Sequence, residues 1–529
     1  MKELVYSRLF FPASERFSSR PAVVDGGYRA TYGEHRERVL RLVGGLGELG
    51  VGRRDRFAVM SANSHQFLEL YHAAYIGAGV VNPLNLRLAG AELRFILEDS
   101  GTEVVFVDEL FAGHLLNSLA GALPDLKVVY IGPRGRAAEW RSEGQPGHGR
   151  HLVEYEELLG ESAPVTPEEP EEDDPVILMY TGGTTGRPKG VVLDQRAEML
   201  NLYHIASTFG LDDRRVYLHQ TPMFHAASIG GVMGLPACGG VSVCIPMFDP
   251  EAVLKATEDN AVNWTMMVPT MISMVLNHPE FRSERLASMR DLVYGASPMP
   301  AALVDRLIAS FPELNIWQGY GMTESASVLT VLNDEDHRRR GDRLRSAGRP
   351  TMGVVISIQD ETGNILPNGV EGEVCARAGN LMTEYWNRPE ETAEAFRGGW
   401  YHTGDAGHLD DEGYLFLVDR VKDMIVTGGE NVYSIEVENA ISTYPGVAQV
   451  AVIGIPDEKW GEAVHAIVVM DKGASATVEQ LQDHARKSIA GYKVPKSIEF
   501  REQALPLSGA MKVLKRDLRT PYWSESPNR

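Results

Sequence analysis

Residues 176–193 read VILMYTGGTTGRPKGVVL. The apolar runs at the two ends of this stretch, 176–179 and 191–193, predict two strands. The segment between them combines glycines that let the backbone approach a ligand, hydroxyl donors and one cation: Gly182, Gly183, Gly186, Thr181, Thr184, Thr185 and Lys189. Such a set of groups suits a polyphosphate. The alternative is a glycine-rich hairpin that binds nothing.

This loop differs from the P-loop of nucleotide hydrolases. That motif has the pattern G-x-x-x-x-G-K-[ST] and opens a helix. Here Pro188 precedes Lys189, and the chain continues into a strand-like run. The sequence therefore predicts a phosphate-binding turn between two strands.

Length and composition describe a multidomain globular protein. The 529 residues correspond to two to four structural units at roughly 100–200 residues per domain. A content of 43% hydrophobic and 23% charged residues excludes a disordered chain and a bulk membrane protein. The net charge of −21 argues against nucleic acid and anionic membrane surfaces as partners. It does not exclude small anionic substrates.

The sequence also carries signals about compartment. Its 3 cysteines are interpreted as buried thiols rather than as a disulfide framework. Charges within the first eight residues leave no room for a signal-peptide core. The uncharged stretch between His225 and Asp249 could mimic a membrane span, but its glycines and prolines favour a buried helix, a glycine turn and a buried strand. We therefore expect a cytoplasmic protein with no membrane span.

The first half of the chain alternates helical and strand-like patterns, which is typical of a parallel α/β core. Helices are predicted at 34–49 and 64–76, and strands at 56–60, 80–82 and 103–107. Residues 133–150 predict a surface loop. The acidic, proline-rich residues 161–175 predict a solvated linker into the strand at 176–179.

The last hundred residues have a different character. Short strands are predicted at 450–455 and 463–469, and helices at 437–442 and 478–488. The fold class is therefore α/β, with a large N-terminal domain of several subdomains over residues 1–419. A small α+β domain follows over residues 420–529.

Further segments carry charged, aromatic or small residues in a suggestive order: 223–225 (MFH), 294–298 (YGASP), 318–324 (QGYGMTE), 401–405 (YHTGD), 419–431 (DRVKDMIVTGGEN) and 505–515 (LPLSGAMKVLK). With the loop at 180–190, they resemble the motifs of the adenylate-forming superfamily. That superfamily includes acyl- and aryl-CoA synthetases, the adenylation domains of peptide synthetases and firefly-type luciferases. The resemblance runs from Thr31 to Arg519. The chain departs from the usual pattern at Gly182, where Ser is usual, and at Met511, where Gly is usual.

The resemblance implies an ATP site. The phosphates would lie on the loop from Thr181 to Lys189, and the nucleoside would contact Gly295, Ala296, Ser297, Gln318, Gly319, Tyr320, Asp405 and Arg420. In relatives the tyrosine stacks on adenine, a contact that contributes on the order of 1–3 kcal/mol. The Asp405 carboxylate would accept hydrogen bonds from the ribose hydroxyls, and Arg420 would contact the ribose or a phosphate.

The resemblance also implies the groups that act on the phosphates. Glu324, together with Thr184, would hold Mg2+, because carboxylate oxygens are hard ligands. Thr323 would donate to the α-phosphate, and Lys512 would be the catalytic lysine. The alternative for Lys512 is an ordinary surface lysine on a basic patch.

The C-terminal domain is implied to be mobile. Lys422 falls where relatives pivot this domain. Gly428 and Gly429 would line the tunnel for the pantetheine arm of coenzyme A, where a thin thiol arm must pass along the backbone.

The sequence says less about which carboxylic acid is the substrate. The resemblance implies an acyl pocket lined by His225, Ala226, Ala227, Gly230, Val268, Met271 and Gly321. Relatives that activate amino acids place an aspartate just after the position of Phe224, to hold the ammonium group, whereas this chain has no acidic residue until Asp249. We therefore expect a hydrophobic carboxylic acid, fatty or related. Ordinary core packing is the alternative role for Met266, Met267, Met271 and Met274.

Together these features predict an AMP-forming acyl-CoA synthetase. It would convert an acid and ATP to acyl-AMP, with Mg2+, and then form a thioester with coenzyme A. Transfer to an acyl carrier protein, closure of a β-lactone, and a non-catalytic nucleotide or acyl sensor stay open as alternatives. A homodimer also stays open.

Overall fold

The computed structural model describes residues 3–181, 188–295, 299, 301–339, 341–420, 424–506 and 515–523. The chain divides into two compact units. The first comprises Met1–Leu86, Leu97–Tyr180 and Gly190–Asp419, and the second comprises Arg87–Ile96, Thr181–Lys189 and Arg420–Arg529. Two short segments from the first 190 residues thus belong to the second unit, which the sequence did not indicate.

The strands are β1 (Pro21–Asp25), β2 (Tyr28–Thr31), β3 (Arg56–Met60), β4 (Val80–Pro83), β5 (Val104–Asp108), β6 (Lys127–Ile131), β7 (Leu152–Glu154), β8 (Pro175–Thr181), β9 (Lys189–Asp194), β10 (Val216–His219), β11 (Val241–Cys244), β12 (Trp264–Met267), β13 (Asp291–Gly295), β14 (Asn315–Tyr320), β15 (Thr330–Leu332), β16 (Arg349–Pro350), β17 (Val355–Gln359), β18 (Gly372–Arg377), β19 (Glu384–Tyr385), β20 (Tyr401–Leu409), β21 (Leu415–Arg420), β22 (Met424–Thr427), β23 (Glu430–Tyr433), β24 (Val447–Asp457), β25 (Gly461–Met470) and β26 (Ser497–Arg501).

The α-helices are α1 (Ser7–Arg16), α2 (Tyr32–Glu48), α3 (His65–Tyr75), α4 (Gly90–Ser100), α5 (Glu109–Ser118), α6 (Ala137–Trp140), α7 (Tyr155–Glu161), α8 (Gln195–Phe209), α9 (Ile229–Cys238), α10 (Pro250–Asn260), α11 (Pro269–Leu276), α12 (Ala301–Ser310), α13 (Asp334–Arg339), α14 (Pro389–Ala395), α15 (Ser434–Ser442), α16 (Val478–Ala485) and α17 (Lys515–Trp523).

Three sheets build the first unit. They have the strand orders β16-β15-β14-β13-β12-β10-β11-β1-β2, β19-β9-β8-β4-β3-β5-β6-β7 and β17-β18-β20-β21. In the first sheet β10 to β14 run parallel, so their carboxyl ends meet at one edge. The ends of β13 and β14, which belong to two of the predicted nucleotide motifs, are therefore neighbours, with Gly295 paired to Gly319.

The two faces of this first sheet pack against different helices. One face carries Leu218 and Ile316, which lie in an apolar core with residues of α10, α11 and α12. The other face carries Tyr217, Trp264 and Val293, which pack against residues of α8 and α9. Because both faces are covered, the strands are apolar on both sides, as buried parallel strands require.

Local sequence explains where the early elements begin. Thr31 caps α2 in a capping box with Glu34, and the Ser64 hydroxyl accepts from the backbone N–H of Phe67 at the start of α3. The predicted α/β class is confirmed. The loop predicted at 133–150 contains the short helix α6.

The acidic segment at 161–175 is bound rather than simply solvated. Asp174 is buried and pairs with the guanidinium groups of Arg53 and Arg54. The Glu172 carboxylate accepts from the backbone N–H of Glu3 at 2.8 Å. The predicted linker into β8 is present and most of its residues are exposed or half exposed, but several of its carboxylates have cationic or backbone partners on the first unit that the sequence did not indicate.

The uncharged stretch after His225 forms α9, a turn at Gly239 with φ of +85° and β11. The predicted helix, turn and strand are thus confirmed. No helix in the described ranges is both long enough and apolar enough to cross a bilayer.

The second unit contains a sheet of order β23-β22-β25-β24, with β26 parallel to β25. Its apolar core includes Ile425, Val452 and Val464 and is covered by α15 and α16. The predicted small α+β fold is therefore present. The helix predicted at 478–488 ends at Ala485.

Candidate active site

The two strands predicted around the glycine-rich loop are present. β8 ends at Thr181 and β9 begins at Lys189. Beside the loop, the Tyr180 hydroxyl donates to Asp99 at 2.7 Å, and burial raises the pKa of this phenol. A Cβ on Gly190 would lie 2.7 Å from the Leu178 side chain and 3.1 Å from Trp386, so the chain leaves the loop through a space that only glycine fits.

Two glycines meet at the carboxyl edge of the first sheet. Gly295 at the end of β13 is paired with Gly319 in β14. A Cβ on Gly295 would lie 2.7 Å from the Gly319 carbonyl oxygen, whereas a Cβ on Gly319 would meet only Val328, at 3.9 Å. Next to them the Tyr294 hydroxyl donates to the Gln318 side chain at 2.9 Å. The arrangement leaves a bare backbone shelf, which suits a flat ligand.

Tyr320 and Asp405 are brought together from 85 residues apart. The Tyr320 hydroxyl donates to Asp405 Oδ2 at 2.8 Å, and both side chains are buried. These are the residues predicted to contact adenine and ribose. Their contact places an aromatic face and a carboxylate side by side at the end of β14.

The strand that carries Asp405 is held by a partly buried charge network. The Glu373 carboxylate lies 2.8 Å from His402 Nδ1, 2.6 Å from Arg397 and 3.3 Å from the backbone N–H of Gly404. Asp405 is the next residue, and its backbone N–H donates to the Thr403 hydroxyl at 3.1 Å. Sequence reasoning missed Glu373 because its partners lie 24 to 31 positions away and meet it only through strand pairing.

Glu324 lies in a short turn after β14. Its carboxylate accepts from the Tyr385 hydroxyl at 3.0 Å, and its backbone carbonyl accepts from Met382 at 2.7 Å. The side chain is half buried and presents oxygen ligands, so the donor set fits Mg2+. Thr323 precedes it in the same turn. The sequence did not indicate Tyr385.

Asn380 fixes the chain just after this turn. Its side-chain nitrogen donates to the carbonyls of Ser325 and Val328, each at 2.8 Å, and the residue is fully buried. The segment between the predicted magnesium ligand and β15 therefore has a defined path. No motif in the sequence singled out Asn380.

Hydrogen bonds from buried side chains hold the backbone of residues 223–225, the segment that carries His225. The Asn63 side chain accepts from the backbone N–H of Met223 at 2.8 Å, and the Tyr71 hydroxyl donates to the carbonyl of Met223 at 2.6 Å. His225 itself is half buried, with its ring 4.8 Å from that of Phe224. The backbone that leads into α9 is thus fixed by the buried side chains of Asn63 and Tyr71.

The predicted acyl-pocket residues fall on different parts of the first unit. Ala226 and Ala227 lie in a short turn, and Gly230 is the second residue of α9, where a Cβ would lie 3.0 Å from Ile205 of α8. Val268 and Gly321 follow β12 and β14 at the carboxyl edge. Met271 packs against the apolar core shared with α10 and α12, on the opposite face of the sheet from α9.

In the second unit, Gly428 and Gly429 form the two-residue turn of the β22–β23 hairpin. Their φ angles are +61° and +80°, a conformation that glycine adopts at no steric cost. The Trp460 ring would lie 2.6 Å from a Cβ on Gly428. The turn therefore presents bare backbone, as a narrow passage for a thiol arm would require.

Sequence reasoning also missed a buried charge cluster inside the second unit. Lys493 lies 3.0 Å from Glu92 and 2.7 Å from Glu436, and all three side chains are almost fully buried. Burial raises the pKa of Glu436 to about 7. The sequence did not reveal this cluster, because Glu92 lies 401 positions from Lys493.

Several predicted site residues lie outside the described residues: Gly182, Gly183, Thr184, Thr185, Gly186, Ala296, Ser297, Lys422 and Lys512. For Arg420 the backbone is described, as the last residue of β21.

The model of the AMP-binding enzyme family matches residues 10–386, and that of the AMP-binding enzyme C-terminal domain matches residues 436–512. The chain belongs to this family, as an acyl-CoA synthetase of the adenylate-forming superfamily. The family's reaction is ATP-dependent acyl-CoA ligation, so the predicted class of enzyme is confirmed.

Known relatives cover nearly the whole chain. A feruloyl-CoA synthase from Amycolatopsis sp is 38% identical over 518 residues, which are 95% of this chain and 96% of that protein. The long-chain-fatty-acid–CoA ligase FadD13 from Mycobacterium tuberculosis is 36% identical over 499 residues, 94% of each chain. A structure of o-succinylbenzoate CoA synthetase from Bacillus subtilis with a product analogue is 28% identical, with a TM-score of 0.82 over 96% of this chain and 98% of that chain.

Proposed function

We propose that this acyl-CoA synthetase activates a hydrophobic carboxylic acid as its acyl-AMP and then transfers the acyl group to coenzyme A. The observation that carries the proposal is the 2.8 Å contact between Tyr320 and Asp405, beside the bare shelf of Gly295 and Gly319. An aromatic face, a carboxylate and an unobstructed backbone edge match the base, the ribose hydroxyls and the flat profile of a nucleoside.

The first half-reaction needs no general base. A carboxylic acid is already ionised near neutral pH, so the carboxylate attacks the α-phosphorus of ATP directly and the bond to pyrophosphate breaks. The protein's contribution is positioning and charge stabilisation. We assign this role to Thr323, Lys189 and Lys512. Magnesium, held by Glu324 and Thr184, would neutralise charge on the phosphate oxygens.

The second half-reaction uses the C-terminal domain. The thiol of coenzyme A attacks the acyl carbonyl, and the bond to AMP breaks. We assign the pivot to Lys422 and the thiol passage to the turn at Gly428 and Gly429. A domain movement between the two steps would let one site serve two reactions. Arg420, next to the pivot, would contact the ribose or a phosphate.

The acid is proposed to be hydrophobic because the segment that follows Phe224 offers no anion to a substrate ammonium group. His225, Ala226, Ala227 and Gly230 are neutral or small. The acids named for the two relatives, a ferulate and long-chain fatty acids, are both hydrophobic.

The test is ATP–pyrophosphate exchange with a panel of fatty, aryl and amino acids. We expect exchange with hydrophobic acids and none with free amino acids. Asp405→Asn should raise the KM for ATP, whereas the matched control Asp411→Asn, in an exposed turn of the first unit, should not. Absence of exchange with every acid would favour the non-catalytic sensor.

The acceptor is tested separately with acyl-AMP made in the first step. Thioester formation with coenzyme A is expected. Transfer only to an acyl carrier protein, or release of a β-lactone detected by mass spectrometry, would replace this half of the proposal.

A further inference from the structure

Three different metal-ligating side chains meet where β18 pairs with β20. Glu373 and Cys375 are alternate residues of β18, so their side chains share one face of the strand, while Val374 between them packs in the apolar core. Cys375 is paired with His402 of β20. One ligand atom from each of the three side chains lies within 4.8 Å of the other two. We call Glu373, Cys375 and His402 the β18–β20 cluster.

Both ring nitrogens of His402 face hydrogen-bond acceptors. Nε2 lies 3.2 Å from the backbone carbonyl oxygen of Arg397, and Nδ1 lies 2.8 Å from Glu373 Oε2. A neutral imidazole carries only one N–H, whereas a carbonyl and a carboxylate can only accept. When Nε2–H donates to the carbonyl, the lone pair of Nδ1 therefore faces an anion. The cluster then needs one more positive charge at Nδ1.

Cys375 adds a third electron-pair donor at the same point. Its Sγ lies 3.3 Å from His402 Nδ1, and the residue is fully buried. The additional charge is either a second proton on the imidazole or a cation. A second proton satisfies His402 and Glu373 but leaves the thiol with a weak contact to the Glu373 carbonyl oxygen at 3.7 Å. A cation accepts the lone pairs of all three groups, so the convergence of the three favours a cation.

The donor atoms select the kind of cation. Sulfur and imidazole nitrogen favour Zn2+, whereas Mg2+ and Ca2+ prefer oxygen ligands. Tetrahedral Zn2+ with its usual bond lengths places nitrogen about 3.4 Å from oxygen and about 3.6 Å from sulfur. Starting from 2.8 Å and 3.3 Å, the two separations would have to open by about 0.6 Å and 0.3 Å. Side-chain rotations of this size need no change in strand pairing.

We propose that the β18–β20 cluster binds one Zn2+ ion through Glu373, Cys375 and His402, with the fourth position open to water. The hydrogen bond from Nε2 to the Arg397 carbonyl holds the imidazole with Nδ1 toward the ion, which is the usual arrangement of zinc-bound histidines. Burial raises the pKa of the Cys375 thiol to about 12, so the ion displaces its proton to solvent. The Glu373 side chain is 20% exposed, so the ion can enter on that side.

A bound ion would also act on the strand that carries Asp405. The Glu373 carboxylate accepts from the backbone N–H of Gly404 at 3.3 Å and lies 2.6 Å from the Arg397 guanidinium. Zn2+ on this carboxylate would compete with both contacts and loosen the segment before Asp405. We therefore expect Zn2+ to raise the KM for ATP. This consequence rests on the proposed function, whereas the binding of the ion does not.

The first experiment measures Zn2+ binding to the full chain by calorimetry, with excess Mg2+ present to occupy oxygen-ligand sites such as Glu324. We expect one Zn2+ per chain. Changes around metal ligands cost roughly 10–100-fold in affinity, so loss of a ligand in Cys375→Ser should cost at least about 100-fold. Cys244→Ser is the matched control, because Cys244 is also a buried strand cysteine, and it should bind Zn2+ as the wild type does.

Two further measurements do not depend on the stability of Cys375→Ser. Co2+ in place of Zn2+ should give the near-ultraviolet charge-transfer band of a sulfur-bound ion in the wild type and in Cys244→Ser. Arg397→Gln keeps all three ligands and removes the cation that competes for Glu373, on a side chain that is 40% exposed. This variant should bind Zn2+ more tightly than the wild type.

The outcomes separate the site from its effect and from the proposed function. No saturable Zn2+ binding, or Zn2+ binding as tight in Cys375→Ser as in the wild type, would overturn the site and favour a second proton on His402. Unchanged or weaker binding in Arg397→Gln would exclude Glu373 as a ligand. Tight binding with an unchanged KM for ATP would keep the site and reject its effect on Asp405. Absence of pyrophosphate exchange in metal-free buffer with added Mg2+ would reject the proposed function alone.

Discussion

Replacing Tyr320 with Phe removes one hydroxyl and leaves the aromatic face in place. The lost hydrogen bond is 2.8 Å long, is buried and ends on a carboxylate. Hydrogen bonds to charged groups contribute about 1.5–3 kcal/mol, which corresponds to roughly a 10- to 150-fold change in a binding constant. Without this bond Asp405 must be ordered by the nucleotide itself. We expect the KM for ATP in pyrophosphate exchange to rise by at least about tenfold.

The nucleotide supplies its own control. If Tyr320 acts through Asp405 on the ribose, the Tyr320→Phe penalty should be large with ATP and small with 2′,3′-dideoxy-ATP. Tyr155→Phe is the matched protein control, because its hydroxyl is also buried and also donates to a carboxylate, that of Glu69 at 2.7 Å, outside the predicted nucleotide motifs. An ATP KM within twofold of wild type, or equal penalties with both nucleotides, would refute the assignment of Asp405 to the ribose.

Three further perturbations have defined expectations. Lys493→Met leaves Glu92 and Glu436 buried without a cation, so the second unit should lose about 3–5 kcal/mol in urea unfolding, and a loss below about 1 kcal/mol would contradict this. Burial raises the pKa of Glu198 to about 8, so its contribution to stability is complete below its ordinary pKa and is lost as the pH rises through about 8. The free energy of unfolding of the wild type should fall between pH 5 and 8 relative to that of Glu198→Gln. A parallel pH dependence in the two proteins would contradict this expectation. Gly428→Ala forces a left-handed residue against Trp460 and should slow thioester formation from acyl-AMP, whereas Gly473→Ala, also at positive φ but in open space, should not.

Most elements of the fold could be predicted because their periodicity is strong. The helix at 34–49 and the strand at 56–60 follow from apolar spacing, and the structure has them as α2 and β3. The partners of single carboxylates in the linker at 161–175 could not be predicted, because composition reports charge and not the group that meets it. Asp174 lies beside Arg53 and Arg54 only after the chain has folded.

In the candidate site, too, continuous motifs could be predicted and contacts between distant residues could not. Tyr320, Glu324 and Asp405 could be named from their motifs, since each motif is a continuous run of residues. The groups that hold them could not. Tyr385 reaches Glu324 from 61 positions away, and Glu373 reaches His402 from 29 positions away. Such pairs depend on strand register, which one sequence does not report.

The central claim is that one site first adenylates the acid and then passes it to coenzyme A. The most direct measurement divides the two half-reactions in Lys512→Ala, with pyrophosphate exchange for the first and thioester formation from supplied acyl-AMP for the second. The account predicts that exchange is abolished and that thioester formation is largely retained. Unchanged exchange in this variant, or equal loss of both half-reactions in a folded protein, would contradict it.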